Sequence, residues 1–425
     1  MSTGTSRQRW SRILTKVAAG IVAAALVAGC SSSKPATSPS TGGEVKFTGE
    51  DIKLGGLIPL TGGGSPYGKG EQKAIELTVD EINKAGGVMG RKLVVYVEDS
   101  QTQPDAAVKA AKKLIEVNKV SAIFGTWSSA VTLAVAPVTV EANTILMCTS
   151  SSPAITTVKD NDLLFRTEPS QVFYGPIIGD VISKQGWKTA VVLSLNNPAT
   201  LAVGEESKKA FETKGGKVLE SIVYNPNQTS YKAEVEKALA KKPDGIVLAG
   251  YAPDMTIILK EAYALGSKVK WIGPGFGIND TLVKNVGAEA TESILAVGPR
   301  PAMGTKPYEE FNKRYKEAAG QDLSANIYAA EIRDQVTLLA LAMEASKSTD
   351  SNVLKKTLRE INAKDGKVVY SFAEGLAALK AGQKINYEGV SGSVDFDANG
   401  DTITDFSVTQ VKGGKLEEID VVKKK

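Results

Sequence analysis

The chain has 425 residues, of which 42% are hydrophobic, 23% charged and 6% aromatic, a composition typical of a globular protein with two or three domain-sized units. It contains no histidine, which excludes histidine-based catalytic triads and histidine-containing zinc sites. The net charge of +4 equals the four basic residues of segment 1–29, so the rest of the chain is balanced and we expect no nucleic-acid partner.

The N-terminal segment has the pattern of an export signal. Its basic residues precede an apolar run, Val17–Ala28, that is too short to cross a bilayer as a helix. The run ends in Val27-Ala28-Gly29-Cys30, which resembles the lipobox of bacterial lipoproteins, where the cysteine becomes the lipidated first residue. We therefore expect a signal peptide over 1–29 and a lipid anchor on Cys30 in the cell membrane. The alternative, ordinary cleavage after Ala28, would leave Cys30 as a free thiol.

A first series of strands and helices follows a predicted tether. Residues 30–50 are rich in Ser, Thr, Pro and Gly and should form a flexible linker. The predicted elements beyond it are strand 52–59, helix 70–85, strand 93–98, helix 104–118, strand 122–124, helix 128–142 and strand 145–147. Apolar residues have helical spacing at Ile75, Val79 and Ile82. This βαβ order predicts a parallel sheet with helices on both faces.

A second series of the same kind begins after a break near Arg166–Ser170. Its predicted elements are helix 171–185, strand 190–195, helix 203–214, strand 217–224, helix 231–240, strand 245–248, helix 253–265 and strand 271–273. After Gly298 the pattern is helical over 307–319, 324–347 and 351–361, and Asn399-Gly400 predicts a hairpin turn. The sequence thus predicts an α/β protein with two doubly wound parallel-sheet lobes.

Two motifs resemble cofactor sites but lack a required residue. Gly63–Gly70 has the spacing of a phosphate-binding loop, yet Gly70 stands where the magnesium-binding Ser or Thr is needed, so we interpret these glycines as a flexible rim loop. The run Asp395–Gly400 resembles the start of a calcium loop, yet its twelfth position is Phe406 instead of glutamate. We predict no cofactor and no metal.

Two hydroxyl-rich loops follow neighbouring predicted strands. Gly125–Ser129 leads into a helix, and Thr149–Pro153 follows strand 145–147. In open α/β sheets ligands bind outside the carboxyl ends of the strands, and a helix N-terminus offers free N–H groups to an anion. The loops therefore indicate a carboxylate site, although Ser128 or Ser129 could instead simply cap the helix.

The chain resembles the leucine/isoleucine/valine-binding protein family of ABC-transporter solute receptors. The residues that carry the resemblance span nearly all of 52–412. They are Ile52–Leu60 with Tyr67-Gly68, Asp80–Asn83 with Gly86–Gly90, Gly250–Met255, Gly273-Pro274 and Phe396–Asp401. The resemblance implies the type I periplasmic-binding fold, with two lobes joined by three hinge crossovers. It assigns residues 51–168 and 300–390 to the first lobe and 169–299 and 391–425 to the second.

The resemblance also implies a function and a ligand site. The protein would capture a solute by hinge closure outside the cytoplasm and deliver it to an ABC permease with its ATPase; it would not be an enzyme. Ser129 and the loop Thr149, Ser150 and Ser151 would hold a ligand carboxylate. Trp127 and Ser128 would flank it, Tyr67 would form the rim, and Tyr251 would approach from the second lobe.

The sequence departs from the family where an α-amino acid would be held. The glutamate that binds the ammonium group in such members is replaced by Gly275, followed by Phe276, and a family tyrosine is missing from Asn197–Leu201. Because a buried ammonium needs a negative partner, we expect a small carboxylate or amide-like solute without a strongly held ammonium. Trp127, Tyr251 and Phe276 would suit an aromatic one.

Two other functions stay open at this point. The same fold serves ligand-sensing receptors that signal to a membrane partner. A secreted enzyme is the third alternative, but no arrangement of carboxylate, lysine or tyrosine in the sequence forms a recognisable catalytic constellation.

Overall fold

The computed structural model describes residues 45–362 and 364–423. The predicted signal peptide, Cys30 and most of the predicted tether lie outside these residues. Among the helices of the described ranges, none is long and apolar enough to cross a membrane.

The first part of the chain forms a parallel sheet flanked by helices. Its elements are β1 (Ile52–Ile58), α1 (Ser65–Lys84), β2 (Leu93–Asp99), α2 (Pro104–Lys112), β3 (Ala122–Thr126), α3 (Ser129–Glu141), β4 (Ile145–Cys148) and β5 (Leu164–Arg166). The strand order in the described sheet is β2-β1-β3-β4-β5. β3 and β4 are buried along their whole lengths, because helices cover both faces of the sheet.

The second part repeats this arrangement. Its elements are α4 (Gln171–Lys184), β6 (Thr189–Leu195), α5 (Pro198–Thr213), β7 (Lys217–Tyr224), α6 (Lys232–Ala240), β8 (Gly245–Ala249), α7 (Ala252–Ala264), β9 (Lys270–Pro274), α8 (Asp280–Val286), α9 (Ala288–Thr291) and β10 (Leu295–Pro299). Strands β6 to β10 are parallel and lie in the order β10-β9-β8-β6-β7.

The chain then returns to the first sheet and finally to the second. The returning part comprises α10 (Lys306–Ala319), α11 (Ile327–Ser346), α12 (Ser351–Glu360), β11 (Lys367–Val369), α13 (Phe372–Lys380) and β12 (Ile385–Tyr387). Helix α11 packs between α1 and β3 and buries 17 of its 20 residues. The last strands, β13 (Phe406–Lys412) and β14 (Lys415–Val422), pair antiparallel on the edge of the second sheet beside β10.

Three crossovers therefore join the two lobes, at 166–171, 299–306 and 387–406. A partly buried ion pair connects the first crossover with the third. Arg166 is fully buried, and its Nε and Nη2 donate to Asp401 Oδ1 and Oδ2 over 2.9 and 2.5 Å. The two crossovers are thus fastened to each other. This architecture confirms the predicted two-lobed α/β fold.

Three local predictions differ from the structure. Asn399-Gly400 forms a turn closed by the carboxylate of Asp397, but no hairpin follows, because Asp401 pairs with Arg166 instead. The hairpin lies between β13 and β14, so the second sheet is not wholly parallel. The helix predicted over 104–118 changes to a π-helical turn at Lys113–Val117.

Candidate functional site

A small pocket lies where the two sheets face each other. Its cavity volume is only about 10 Å³, about the space of one water molecule, so the two walls nearly touch. Its first-lobe wall consists of Trp127, Ser129, Thr149, Ser151 and Tyr328, and its second-lobe wall of Ala199, Tyr251 and Phe276. These second-lobe residues follow β6, β8 and β9, so both walls are built from the carboxyl ends of parallel strands. None of the described residues that line it carries a charge.

The N-terminus of α3 contributes one end of the pocket. The first internal hydrogen bond of this helix runs from Thr132 N to Ser128 O at 2.9 Å, so the N–H groups of residues 129–131 have no carbonyl partner within the helix. Neither hydroxyl caps the helix. Ser128 Oγ lies 3.3 Å from Tyr251 Oη, and Ser129 Oγ accepts a hydrogen bond from Ser152 N at 3.1 Å. Partial positive charge is therefore left for an anion beside Ser129.

The loop after β4 contributes the second hydroxyl wall. Thr149 Oγ1 is buried and makes no hydrogen bond to any described residue. Ser151 Oγ accepts a hydrogen bond from Gln171 Nε2, while Gln171 N donates to Ser151 O at 2.7 Å. An unpaired buried hydroxyl is costly without a partner, so Thr149 is the group in this loop best placed to meet a ligand.

Ser150 has a different role from the one predicted. Its Oγ donates to Thr126 O and Trp127 O, at 2.7 and 2.9 Å, and lies 2.6 Å from Thr132 Oγ1. It does not line the pocket. The side chain instead holds the loop after β4 to the loop after β3.

Aromatic side chains from both lobes meet over the pocket. The rings of Trp127 and Tyr251 have centroids 4.6 Å apart, and Tyr328 meets Trp127 edge-on at 5.8 Å. Tyr67 lies beside the pocket: its Oη donates to Phe276 O at 2.8 Å and accepts from Asn279 Nδ2 at 2.6 Å. The lobes are thus in contact through hydrogen bonds and ring packing, with Tyr67 at the rim.

Burial keeps the hydroxyl of Tyr251 protonated. Desolvation raises its pKa to about 12, with a smaller opposing effect from the hydrogen bond to Ser128. Burial likewise raises the pKa of the Cys148 thiol to about 11. At neutral pH the pocket therefore presents neutral hydroxyl groups and no thiolate nucleophile.

The glycine loop before α1 allows the aromatic rings to pack. A Cβ atom on Gly64 would lie 2.6 Å from Trp127 Cε3, and one on Gly63 would lie 2.9 Å from Tyr251 Cδ2. The prediction of a flexible loop over Gly63–Gly70 was therefore wrong: α1 begins at Ser65, five residues before the predicted start, and Gly63 and Gly64 pack against the rings.

We expect Gly64→Ala to lower the free energy of unfolding by about 1–3 kcal/mol, because the added methyl group overlaps the Trp127 ring. Chemical denaturation measures this loss. Gly298→Ala is the matched control, since its Cβ would meet no described atom closer than 3.6 Å. Equal stability of the two variants would show that the Trp127 ring is not held tightly against the loop.

Comparison with known proteins identifies the chain's relatives. The model of the periplasmic binding protein family matches residues 51–415. The chain belongs to this family. This membership confirms the resemblance inferred from the sequence, and it implies a location outside the cytoplasm.

Among the relatives of this periplasmic binding protein are proteins named for amino acids and for chemotaxis. The leucine-, isoleucine-, valine-, threonine- and alanine-binding protein of Pseudomonas aeruginosa is 26% identical over 73% of this chain and 82% of its own. BasB of Halobacterium salinarum, a substrate-binding protein of a chemotactic signal transduction system, is 24% identical over 88% and 90% of the two chains. These named relatives are solute-binding proteins, which supports a binding protein over an enzyme.

Solved structures share the fold. The leucine-binding protein LivK of Thermotoga maritima superimposes with a TM-score of 0.76 at 23% identity, covering 88% of this chain and 99% of its own. A solute-binding protein of Rhodopseudomonas palustris in complex with 3,4-dihydroxybenzoic acid gives a TM-score of 0.72 at 23% identity, covering 88% and 97%. At these identities the likeness establishes the fold.

The structure adds residues that the sequence did not indicate. Tyr328 and Ala199 line the pocket, Gln171 supports Ser151, and Asn279 binds Tyr67. Ala199 contributes a small side chain to the pocket wall at the start of α5. Asn197 and Asn279 each cap the N-terminus of a helix with their side chains. Asparagine is a common residue at this position, so both helix starts could have been predicted from the sequence.

Proposed function

We propose that this protein is the extracytoplasmic solute-binding component of an ABC importer and that its solute is a small carboxylate without a strongly held ammonium group. The protein would be lipid-anchored through Cys30, and it would pass its solute to a permease with an associated ATPase. The observation that carries the proposal is the uncharged pocket in which unpaired Thr149 Oγ1 lies with Ser129 at the start of α3.

The carboxylate end of the solute would be bound by the first lobe. Hydrogen bonds from neutral donors to a charged acceptor are about twice as strong as those between neutral groups. Thr149 Oγ1 can donate one, and the N–H groups at the start of α3 can donate more. The apolar part of the solute would then face Trp127, Tyr251 and Phe276. These side chains would suit a branched aliphatic or aromatic group.

Closure of the lobes would complete the site. Tyr251 and Phe276 come from the second lobe and can contact the solute only when the lobes meet. A solute held by both lobes shifts the population toward the closed form, because that form gives it additional contacts. A permease could recognise the closed form as loaded.

The absence of a charged group from the described pocket lining argues against α-amino acids. Gly275 stands at the position where the resemblance expects the ammonium-binding glutamate, and it lines a neighbouring cavity with Asn279 and Asp280. A matched pair of solutes tests this: L-leucine and 4-methyl-2-oxopentanoate, which has the same side chain without the ammonium. We expect calorimetry to detect binding of the oxo acid and about tenfold weaker binding, or none, of leucine.

The test extends to three further compounds. Benzoate and 4-hydroxybenzoate keep the carboxylate but carry an aromatic ring, and isobutyramide has a neutral amide in place of the carboxylate. Binding of any carboxylate in this panel with closure would support the proposal. Tighter binding of leucine than of its oxo acid would contradict the exclusion of an ammonium. Binding of no carboxylate at all would overturn the carboxylate site.

A sensing role is the second candidate, and the BasB relative is the observation that favours it. In that case the closed form would contact a membrane signalling partner instead of a permease. Uptake of radiolabelled solute by cells with and without the chain separates the two, because only an importer component would change the rate of uptake.

A further inference from the structure

The first crossover carries a buried carboxyl pair for which the solute site has no use. Glu168 lies between β5 and α4, and Glu331 lies on α11; both are at most 1% exposed. Thr167, the residue before Glu168, donates its hydroxyl to Glu331 Oε2 at 3.1 Å, so the two acids are neighbours, and the pKa of each depends on the other. Two acids with so little access to water cannot both be ionised at low cost.

The surroundings supply hydrogen bonds to the pair, and the cation that acts on Glu168 is itself hydrogen-bonded to other groups. Tyr174 Oη donates to Glu168 Oε1, and Thr167 Oγ1 donates to Glu331 Oε2 at 3.1 Å. Glu168 Oε2 accepts no hydrogen bond from any residue in the described ranges. Arg166 is the cation that acts on Glu168, but its own hydrogen bonds go to Asp401, Thr156 Oγ1 and Ser152 O.

The other titratable groups that face the pair do not relieve it. They are Tyr67 on α1, Tyr174 on α4 and Tyr328 on α11, which face Glu168, and Cys148 at the end of β4, which faces Glu331. Burial raises the pKa of each of these phenols and of the thiol. They are neutral near pH 7 and therefore bring neither a positive nor a negative charge.

The pair connects parts of the molecule that a hinge motion of the lobes would move against each other. Glu168 is on the crossover, Glu331 belongs to a helix of the first lobe, and Tyr174 belongs to the first helix of the second lobe. A rotation of one lobe against the other would change at least one of these contacts and expose the pair to water. We propose that Glu168 and Glu331 form a proton-binding site at the hinge, which holds an extra proton in the closed form and releases it on opening.

The direction of the effect follows from burial. Desolvation raises the pKa of Glu168 to about 7 and that of Glu331 well above its usual range. Hydration in the open form returns the pKa of Glu168 toward its ordinary value, so the closed form binds more protons between these two values. Closure is therefore favoured at low pH and weakens as pH rises through neutrality. If opening lowers the pKa of Glu168 by about one unit, solute affinity falls about tenfold across this range.

Glu168→Gln tests the inference because glutamine keeps the size and an acceptor for Tyr174 but cannot titrate. Glu71→Gln is the matched control. Like Glu168, Glu71 is fully buried and its pKa is raised by burial, and its carboxylate oxygens find no partner among the described residues. Unlike Glu168, it lies on α1 within the first lobe and not on a crossover. The first readout uses the full mature chain without solute. Small-angle scattering should give a larger radius of gyration at about pH 8 than at about pH 5.5 for the wild type and Glu71→Gln, and no change for Glu168→Gln.

The second readout rests on the proposed function and uses 4-methyl-2-oxopentanoate as the probe. Its affinity for the wild type should fall about tenfold between the same two pH values, and by less than about twofold for Glu168→Gln. A pH-independent wild type, or a Glu168→Gln variant with the wild-type pH dependence, would overturn the proton site. If the probe does not bind at any pH, the proposed solute fails, and the scattering experiment still decides the proton site.

Discussion

Replacing Ser129 with alanine and Thr149 with valine should weaken binding of a carboxylate solute about a hundredfold. Each hydroxyl lines the pocket, and Thr149 Oγ1 has no partner among the described residues. A hydrogen bond to a charged group is worth about 1.5–3 kcal/mol, so the loss of two amounts to roughly 3 kcal/mol or more. Isothermal titration of the wild type and the double variant with 4-methyl-2-oxopentanoate measures the change.

The control for this prediction removes a buried hydroxyl elsewhere. Thr78→Val deletes a hydroxyl of α1 that donates to Ala74 O at 2.7 Å within its own helix. Its affinity for the solute should equal that of the wild type. An unchanged affinity of the double variant would mean that the carboxylate is not bound at this wall.

Gly275→Glu should convert the protein toward binding of α-amino acids. A Cβ atom on Gly275 would lie 3.5 Å from Gly298 Cα and Val297 O, an ordinary contact distance, so the backbone accepts a side chain there. Gly275 lines the neighbouring cavity, but the next residue, Phe276, lines the pocket, so a glutamate side chain here would bring a carboxylate close to the pocket. A hydrogen bond between an ammonium and this carboxylate would be about twice as strong as a neutral one. We expect L-leucine to gain at least about tenfold in affinity, or about 1.4 kcal/mol.

Gly275→Gln is the matched control for this gain, because glutamine has the same size and no charge. A gain in leucine affinity that appears equally in both variants would reflect filled space and not an ammonium partner. No gain in Gly275→Glu, with the fold intact by circular dichroism, would contradict the view that a missing carboxylate excludes α-amino acids.

The sequence placed the hydroxyl loops correctly because parallel strands bring their carboxyl ends to one edge. The loops after β3 and β4 had to be neighbours once both strands were recognised, and Ser129, Thr149 and Ser151 do line one pocket. The direction of each side chain within the loop could not be read in this way. Ser150 is flanked by residues that face the pocket, yet its hydroxyl binds Thr126 O and Trp127 O.

Contacts between distant segments also could not be predicted from the sequence. Tyr328 reaches the pocket from α11, after the chain has crossed twice between the lobes, and Glu168 meets Glu331 only through the same return. Nothing local to these residues signals that proximity. Likewise, Asn399-Gly400 has the composition of a hairpin turn, but the partner that pairs next to it is Arg166, more than two hundred residues away.

The ion pair between Arg166 and Asp401 limits how the molecule can move. Because it joins two of the three connections and is largely shielded from water, those two segments would stay together while the lobes separate. Two connections held together in this way would favour rotation of the lobes about an axis near the ion pair over sliding of one lobe past the other. Solute capture would then require mainly a rotation about this axis. Every closed, loaded molecule would present the same surface to its membrane partner.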